Sequence, residues 1–272
     1  MDISNKLDKE LIERYTEVAL AMAELNMPFL VVGASARDLF FEYAYGIFAP
    51  RKTHDLDFAI QVPHWEAFEQ VKKVLVERGF VKTGVQHRFR KGNIYPIDIV
   101  PFGEIAGENK IAWPPNGDVQ MNVLGFDEAL SNASLFVINK NPKIEILVAQ
   151  PPGLILMKFI AWLDRAKQLR TKDAQDIKFM LRSFEKFPYI KDNLYQNDLL
   201  EKYDGDTCLI DSELLGREVC KINSHKSYEL IIEIFHSEQK IERLVVEMDE
   251  RGRVDPDFNF ALLDAFKAGL LA

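Results

Sequence analysis

The sequence predicts an α+β chain: a mixed sheet flanked by helices over residues 1–150, then a helical bundle over residues 151–272. Three observations carry that expectation. In the first part, short apolar runs such as Phe29-Leu30-Val31-Val32 alternate with amphipathic stretches, the mark of strands interleaved with helices. At Pro151-Pro152-Gly153 the composition changes. Beyond that point apolar residues recur at helical spacing almost to the end.

In order, Leu7, Leu11, Tyr15, Val18, Met22 and Leu25 mark a helix over 6–26, stopped by Asn26-Met27-Pro28. The run 29–32 is a buried strand, broken by Gly33-Ala34-Ser35, and 36–45 reads as a helix. A loop over 46–52 leads to a strand at 55–62 and a helix at 63–78 that ends on Gly79. Strands are expected at 80–83, 86–91 and 94–100, and the stretch 103–125 reads as an irregular surface flap. Residues 136–138 and 144–148 read as a hairpin-like pair. Helices are expected at 154–169, 172–186, 210–223, 225–238 and 258–270, the first headed by proline, which suits a helix N-terminus.

With 47% hydrophobic and 28% charged residues, the chain has a globular balance, and a disordered protein is excluded. A net charge of −8 argues against a protein that coats nucleic acid non-specifically, while a local basic patch can still engage RNA or a triphosphate. Cys208 and Cys220 lack zinc-ligand neighbours, so both read as reduced residues of an intracellular protein. Neither a signal peptide nor a membrane span is visible, and the expectation is a soluble, cytoplasmic chain with no membrane partner.

The chemistry concentrates on Asp55-Leu56-Asp57. Residues two apart on a strand share a face, so the two carboxylates lie side by side while Leu56 enters the core. Adjacent carboxylates repel, and a divalent cation between them resolves the repulsion; Mg²⁺ takes such hard oxygen ligands. A lone pair of this kind also occurs on solvated faces. Asp98 adds a third acid inside the apolar run Ile97–Val100, where an unpaired charge is costly. It reads either as a further metal ligand that accepts a proton from an attacking hydroxyl, or as a partner of Arg88 or Arg90. Gly33, Ala34 and Ser35 let a phosphate approach the backbone at a helix start, with Ser35 offering a hydroxyl; the alternative is a turn that needs glycine for geometry alone. His54 is a secondary candidate, one of His87, Arg88 and Arg90 could reach a phosphate, Arg37 and Asp38 read as a local pair or as orienting the turn, and Trp113 is a candidate for stacking on a base.

The string Val31-Val32-Gly33-Ala34-Ser35-Ala36-Arg37-Asp38-Leu39, then Thr53-His54-Asp55-Leu56-Asp57-Phe58-Ala59, then Asp98, resembles the nucleotidyltransferase (polymerase-beta-like) superfamily. Its members carry a Gly-Ser-type turn, a paired-acid strand and a third acid on a later strand. Within it the chain is most similar to the AbiEii/AbiGii toxin-type nucleotidyltransferases, which join such a domain to a helical one. Ala34 departs from the common Gly-Gly-Ser or Gly-Ser turn. In the helical part, Lys158, Arg165, Lys172, Asp173 and Asp176 match the order of charged residues in that group, with Lys172 where arginine is frequent. A bland alternative is an exposed helix pair laced with salt bridges.

The resemblance implies a Mg²⁺-dependent transfer of NMP from an NTP to an acceptor hydroxyl, with pyrophosphate released. Asp55, Asp57 and Asp98 would hold the metal, and Gly33, Ala34, Ser35 and Lys158 would hold the nucleotide's phosphates. It further implies a toxin with an antitoxin partner and an RNA acceptor such as a tRNA 3′ end. A small-molecule acceptor, as in aminoglycoside adenylyltransferases, and a non-catalytic nucleotide-binding regulator are the alternatives.

Overall fold

The computed structural model describes residues 1–92, 96–183, 187, 198–249 and 254–272, and divides into two compact units, Met1–Gln150 and Pro151–Ala272. In the first unit, helix α1 (Lys9–Leu25) starts where the Asp8 carboxylate accepts the Leu11 N–H at 2.8 Å. It ends at Asn26, which takes the left-handed conformation common at helix C-termini. Strand β1 (Phe29–Val32) is followed at once by α2 (Gly33–Asp38) and a π-helical turn over Leu39–Ala44. The expected turn is therefore the first turn of the helix itself. Leu39, Phe40 and Phe41 all enter the core from the π-helical turn.

Strand β2 (Leu56–Gln61), helix α3 (Trp65–Glu77) and strands β3 (Val81–Lys82), β4 (Arg88–Arg90) and β5 (Ile97–Phe102) follow. β3 and β4 are shorter than the periodicity suggests; residues 94 and 95 of the expected 94–100 strand lie outside the described residues. The stretch 103–125 is less irregular than expected. It holds a separate two-stranded sheet, β6 (Lys110–Ala112) with β7 (Gln120–Asn122). Trp113 is no exposed stacking platform: it is 3% exposed and packs against Trp65, Phe68 and His87. A short helix α4 (Phe126–Ser131), which the sequence reading did not anticipate, precedes the antiparallel pair β8 (Ser134–Lys140) and β9 (Lys143–Val148).

The main sheet has the order β3-β4-β5-β2-β1-β9-β8. It is mixed: β2 with β5 and β1 with β9 run parallel, while the other neighbours are antiparallel. β1 and β2 sit at its centre, which is why Leu30, Val31, Phe58, Ala59 and Ile60 are fully buried and read as near-continuous apolar runs.

The second unit is helical throughout its described elements. α5 (Pro151–Asp164) ends earlier than expected, and a break at Arg165-Ala166 hands over to α6 (Lys167–Leu181). Residues 184–186 of the expected 172–186 helix lie outside the described residues. α7 (Leu199–Lys202), α8 (Thr207–Ile222), α9 (His225–His236), α10 (Glu238–Glu247) and α11 (Pro256–Leu270) complete it, with α7 and α10 additional to the sequence reading. Asp206 caps α8, Ser224 and Ser227 form a reciprocal capping box at α9, and Asp255 with Pro256 opens α11. Phe159 stacks on Phe266 at 5.1 Å between ring centroids, and Phe235 joins them. No described helix is long and apolar enough to cross a membrane.

α8 and α11 meet backbone to backbone through two glycines. A Cβ on Gly216 would lie 2.2 Å from the Phe266 carbonyl oxygen, and one on Gly269 would lie 2.0 Å from that of Glu213. Gly216→Ala must therefore push the helices apart, and urea denaturation should show a loss of about 1–3 kcal/mol. Near this contact, burial alone would raise the Glu213 carboxyl pKa, but hydrogen bonds from Lys202, Tyr203 and Arg217 hold it below its ordinary value. A depressed carboxylate contributes stability above its unfolded pKa of about 4.3, and that stability is lost as pH falls through the lower folded value. Glu213→Gln should cost about 1.5–3 kcal/mol at pH 7. The gap to the parent protein should close in denaturation curves taken at successively lower pH below about 4.

Candidate functional site

The site is assembled by strand register. Val32 on β1 pairs with Asp57 on β2, Asp57 with Asp98 on β5, and Asp98 with Arg88 on β4. Residues in register on neighbouring strands project from the same face. One row across four strands thus carries the end of β1, two carboxylates and a guanidinium. Asp55 stands just before β2, two residues from Asp57, and completes the acidic set on that face.

Gly33 follows Val32 with φ of 64°, a conformation that glycine adopts without strain. A Cβ there would lie 2.4 Å from Asp57 Oδ2 and 2.9 Å from its Cγ, so the carboxylate packs directly on the glycine backbone. Ser35 ties the same two segments together: its hydroxyl donates to the Val32 carbonyl at 2.9 Å and accepts the Asp57 N–H at 3.1 Å. Ala34, Ser35 and Ala36 are all buried. Within this structure the Ser35 proton is engaged by the backbone.

Arg88 makes the strongest contacts in the row. Its Nε donates to Asp98 Oδ1 at 2.7 Å and its Nη2 to Asp98 Oδ2 at 2.6 Å, a two-pronged grip on one carboxylate. The same Nη2 reaches Asp55 Oδ2 at 3.1 Å. Hydrogen bonding to Asp98 pushes the guanidinium pKa above its already high value, so Arg88 is fully charged. From the sequence Arg88 reads as an alternative partner of Asp98 or as a residue that could reach a phosphate; the structure puts it on both Asp98 and Asp55. Arg90 on the same strand is exposed.

One further arginine was missed, while Arg37 pairs locally with Asp38 as expected. Arg14, 7% exposed, donates from Nη2 to the carbonyls of His54 at 2.9 Å and Pro96 at 3.3 Å, tethering the segments that lead into Asp55 and Asp98. Its signal was an arginine on the apolar stripe of α1, between Leu11 and Val18. Arg37, 2% exposed, binds Asp38 and the Arg51 carbonyl at 2.7 Å, so it anchors the loop that leads to Asp55. Burial raises the Asp38 carboxyl pKa, opposed by Arg37 and the Thr53 backbone.

The resemblance of the sequence implies a divalent metal ion at Asp55, Asp57 and Asp98. The donors here suit such an ion in kind, being carboxylate oxygens on one face, and two of them already converge on a single cationic nitrogen. They do not form a closed cage. Among the described residues no three His, Cys, Asp or Glu side chains are grouped closely enough to hold a metal.

In the helical unit, Lys158 Nζ lies 2.8 Å from Asp173 Oδ1 and 2.7 Å from Asp176 Oδ2, and Arg165 Nη1 lies 2.9 Å from Asp173 Oδ2. Burial alone would lower the Lys158 pKa; Asp176 and Asp173 beside it more than compensate and raise it. Of the residues at helical spacing from Lys158, Trp162 is buried and donates to Glu247 at 2.8 Å, while Arg165 is exposed. Lys172 is exposed in the second turn of α6.

Residues 21–262 match the family described as nucleotidyl transferase AbiEii toxin, type IV TA system. No curated protein matches the sequence. Similar solved structures include the antibiotic-resistance factor ANT(2'')-Ia, 13% identical over 73% of this chain and 98% of that one, TM-score 0.40. An antigenic nucleotidyltransferase-like protein from Paracoccidioides brasiliensis is 17% identical over 72% of this chain and 90% of that one, TM-score 0.41. The Thermotoga maritima CCA-adding enzyme complexed with tRNA is 13% identical over 99% of this chain and 84% of that one, TM-score 0.29. With a family match that runs from α1 to α11, the chain belongs to the AbiEii nucleotidyltransferases and is an enzyme of the transferase class.

Proposed function

We propose that this enzyme transfers NMP from an NTP to an acceptor hydroxyl in a Mg²⁺-dependent reaction, releasing pyrophosphate. One observation carries the reading: the register that lines Val32, Asp57 and Asp98 across three strands, with Gly33 packed against the Asp57 carboxylate. When bound, the ion supplies positive charge to the phosphates at Asp55, Asp57 and Asp98. The chain's own residues do the positioning. The backbone at Gly33, Ala34 and Ser35 lies beside Asp57 and is assigned to holding the phosphate oxygens. Asp98 accepts the proton of the acceptor hydroxyl, whose oxygen attacks the α-phosphorus while the bond to the departing pyrophosphate breaks. Lys158, kept protonated by Asp173 and Asp176, is assigned to neutralising phosphate charge, with Arg165 and Lys172 in support.

We further propose that the acceptor is RNA and that the protein acts as a toxin with an antitoxin partner. The family description supports the toxin role, and the exposed Arg165, Lys167 and Lys172 supply positive charge where α5 gives way to α6. The net charge of −8 favours the second reading, a small cationic acceptor. Incubation with each radiolabelled NTP and either cellular RNA or aminoglycosides separates the two by which acceptor takes up label.

Asp57→Asn should lower transfer by roughly three orders of magnitude while leaving the thermal midpoint within a few degrees of the parent. Transfer at the parent rate would remove the assignment. Gly33→Ala should also inactivate, because its Cβ would occupy the space of Asp57 Oδ2 in a backbone conformation unfavourable to alanine. The displaced carboxylate should show itself as a loss in kcat rather than in protein yield.

A further inference from the structure

The contact of Arg88 with the acidic face goes beyond an ordinary strand-edge ion pair. We infer that Arg88 is the resident cation of the Asp55–Asp98 site, and that its guanidinium must leave before a metal ion can enter. The inference rests on the reading that Asp55, Asp57 and Asp98 take a divalent ion.

The geometry makes the competition direct. Arg88 engages both oxygens of Asp98, and the nitrogen on Asp98 Oδ2 also holds Asp55 Oδ2. A divalent ion needs carboxylate lone pairs that face it, and Arg88 already occupies lone pairs on both Asp98 oxygens and on Asp55 Oδ2. A guanidinium and a doubly charged ion at the same oxygens would also repel each other. One has to yield.

Exposure indicates which group moves. The Asp98 side chain is 12% exposed and fixed in a strand between β2 and β4, whereas the Arg88 side chain is 31% exposed, sits on the short strand β4 and has a long stem. Arg14 and Arg37, by contrast, are buried, Arg14 bound to backbone carbonyls and Arg37 to the adjacent Asp38 and the Arg51 carbonyl, so they are fixed parts of the frame. Once released, the Arg88 fork has a natural new partner in the phosphate oxygens that arrive with the metal. The metal alone therefore enters poorly, and the metal with its nucleotide enters well.

The test is Mn²⁺ binding to the NTP-free protein, followed by the electron paramagnetic resonance of the free ion. Arg88→Gln should bind Mn²⁺ on the order of tenfold more tightly than the parent. Arg88→Lys, a point charge without the fork, should fall between them. Adding a non-hydrolysable NTP should narrow the gap. If Arg88 only props Asp98 in place, the variants will bind Mn²⁺ equally or more weakly, and the gating role is overturned while the metal reading stands. Uptake that persists unchanged when Asp57→Asn is combined with Arg88→Gln, or no uptake in any variant, overturns the metal reading itself. Should Arg88→Gln fail to fold, Arg88→Lys carries the comparison, with the same sign and a smaller change.

Discussion

Carboxylates gathered on one face of a sheet repel one another, and the first unit is built around meeting that cost. Asp57 and Asp98 occupy register-matched positions on two parallel strands, with Asp55 one step along the same face. Leu56, Phe58, Ile97 and Ile99 fill the opposite face with buried apolar side chains, so none of these acids can turn inward to escape. Positive charge has to come from the edge, and it arrives from β4, where Arg88 faces Asp98 directly. The placement of β4 beside β5 thus belongs to the electrostatics of the site as much as to the packing of the sheet.

The surrounding frame holds the backbone of the acidic face on the opposite flank. Gly33 allows the first turn of α2 to rest on Asp57, and the Ser35 hydroxyl stitches that turn to β2 through two backbone groups. Arg14 and Arg37 hold the irregular segments before β2 and β5 by their carbonyls. Loops that carry reactive side chains are ordinarily the least rigid parts of a fold, and side-chain donors that bind their carbonyls reduce that freedom. The result is a face whose backbone is held from several directions while the Arg88 and Asp55 side chains are partly exposed.

The helical unit handles charge differently. Lys158, Asp173 and Asp176 are mutually paired and largely buried, and Glu247 joins Trp162 to Arg170. Burying charge costs free energy unless partners are close, and removing one partner leaves the others stranded. Such clusters specify how α5, α6 and α10 fit together, so a substitution at Lys158 would test packing and phosphate neutralisation at once. The glycine pair at α8 and α11 is the apolar counterpart, close contact bought by having no side chain at all.

The linear sequence determined the division of elements, the paired acids, the glycine turn and the family resemblance. All depend on local periodicity or short motifs, where physical constraint and sequence spacing coincide. Asp98 was legible because a lone acid in an apolar strand is anomalous. What the sequence did not determine were relations between distant segments: that Arg88 would lie opposite Asp98, that Arg14 would bind carbonyls at His54 and Pro96, and that Trp113 would join a core cluster. It also missed α10 and the β6–β7 pair, whose short segments carry few turns of period to read. Strand order and register decide those relations, because hydrogen bonding between strands brings together residues that no spacing along the chain relates.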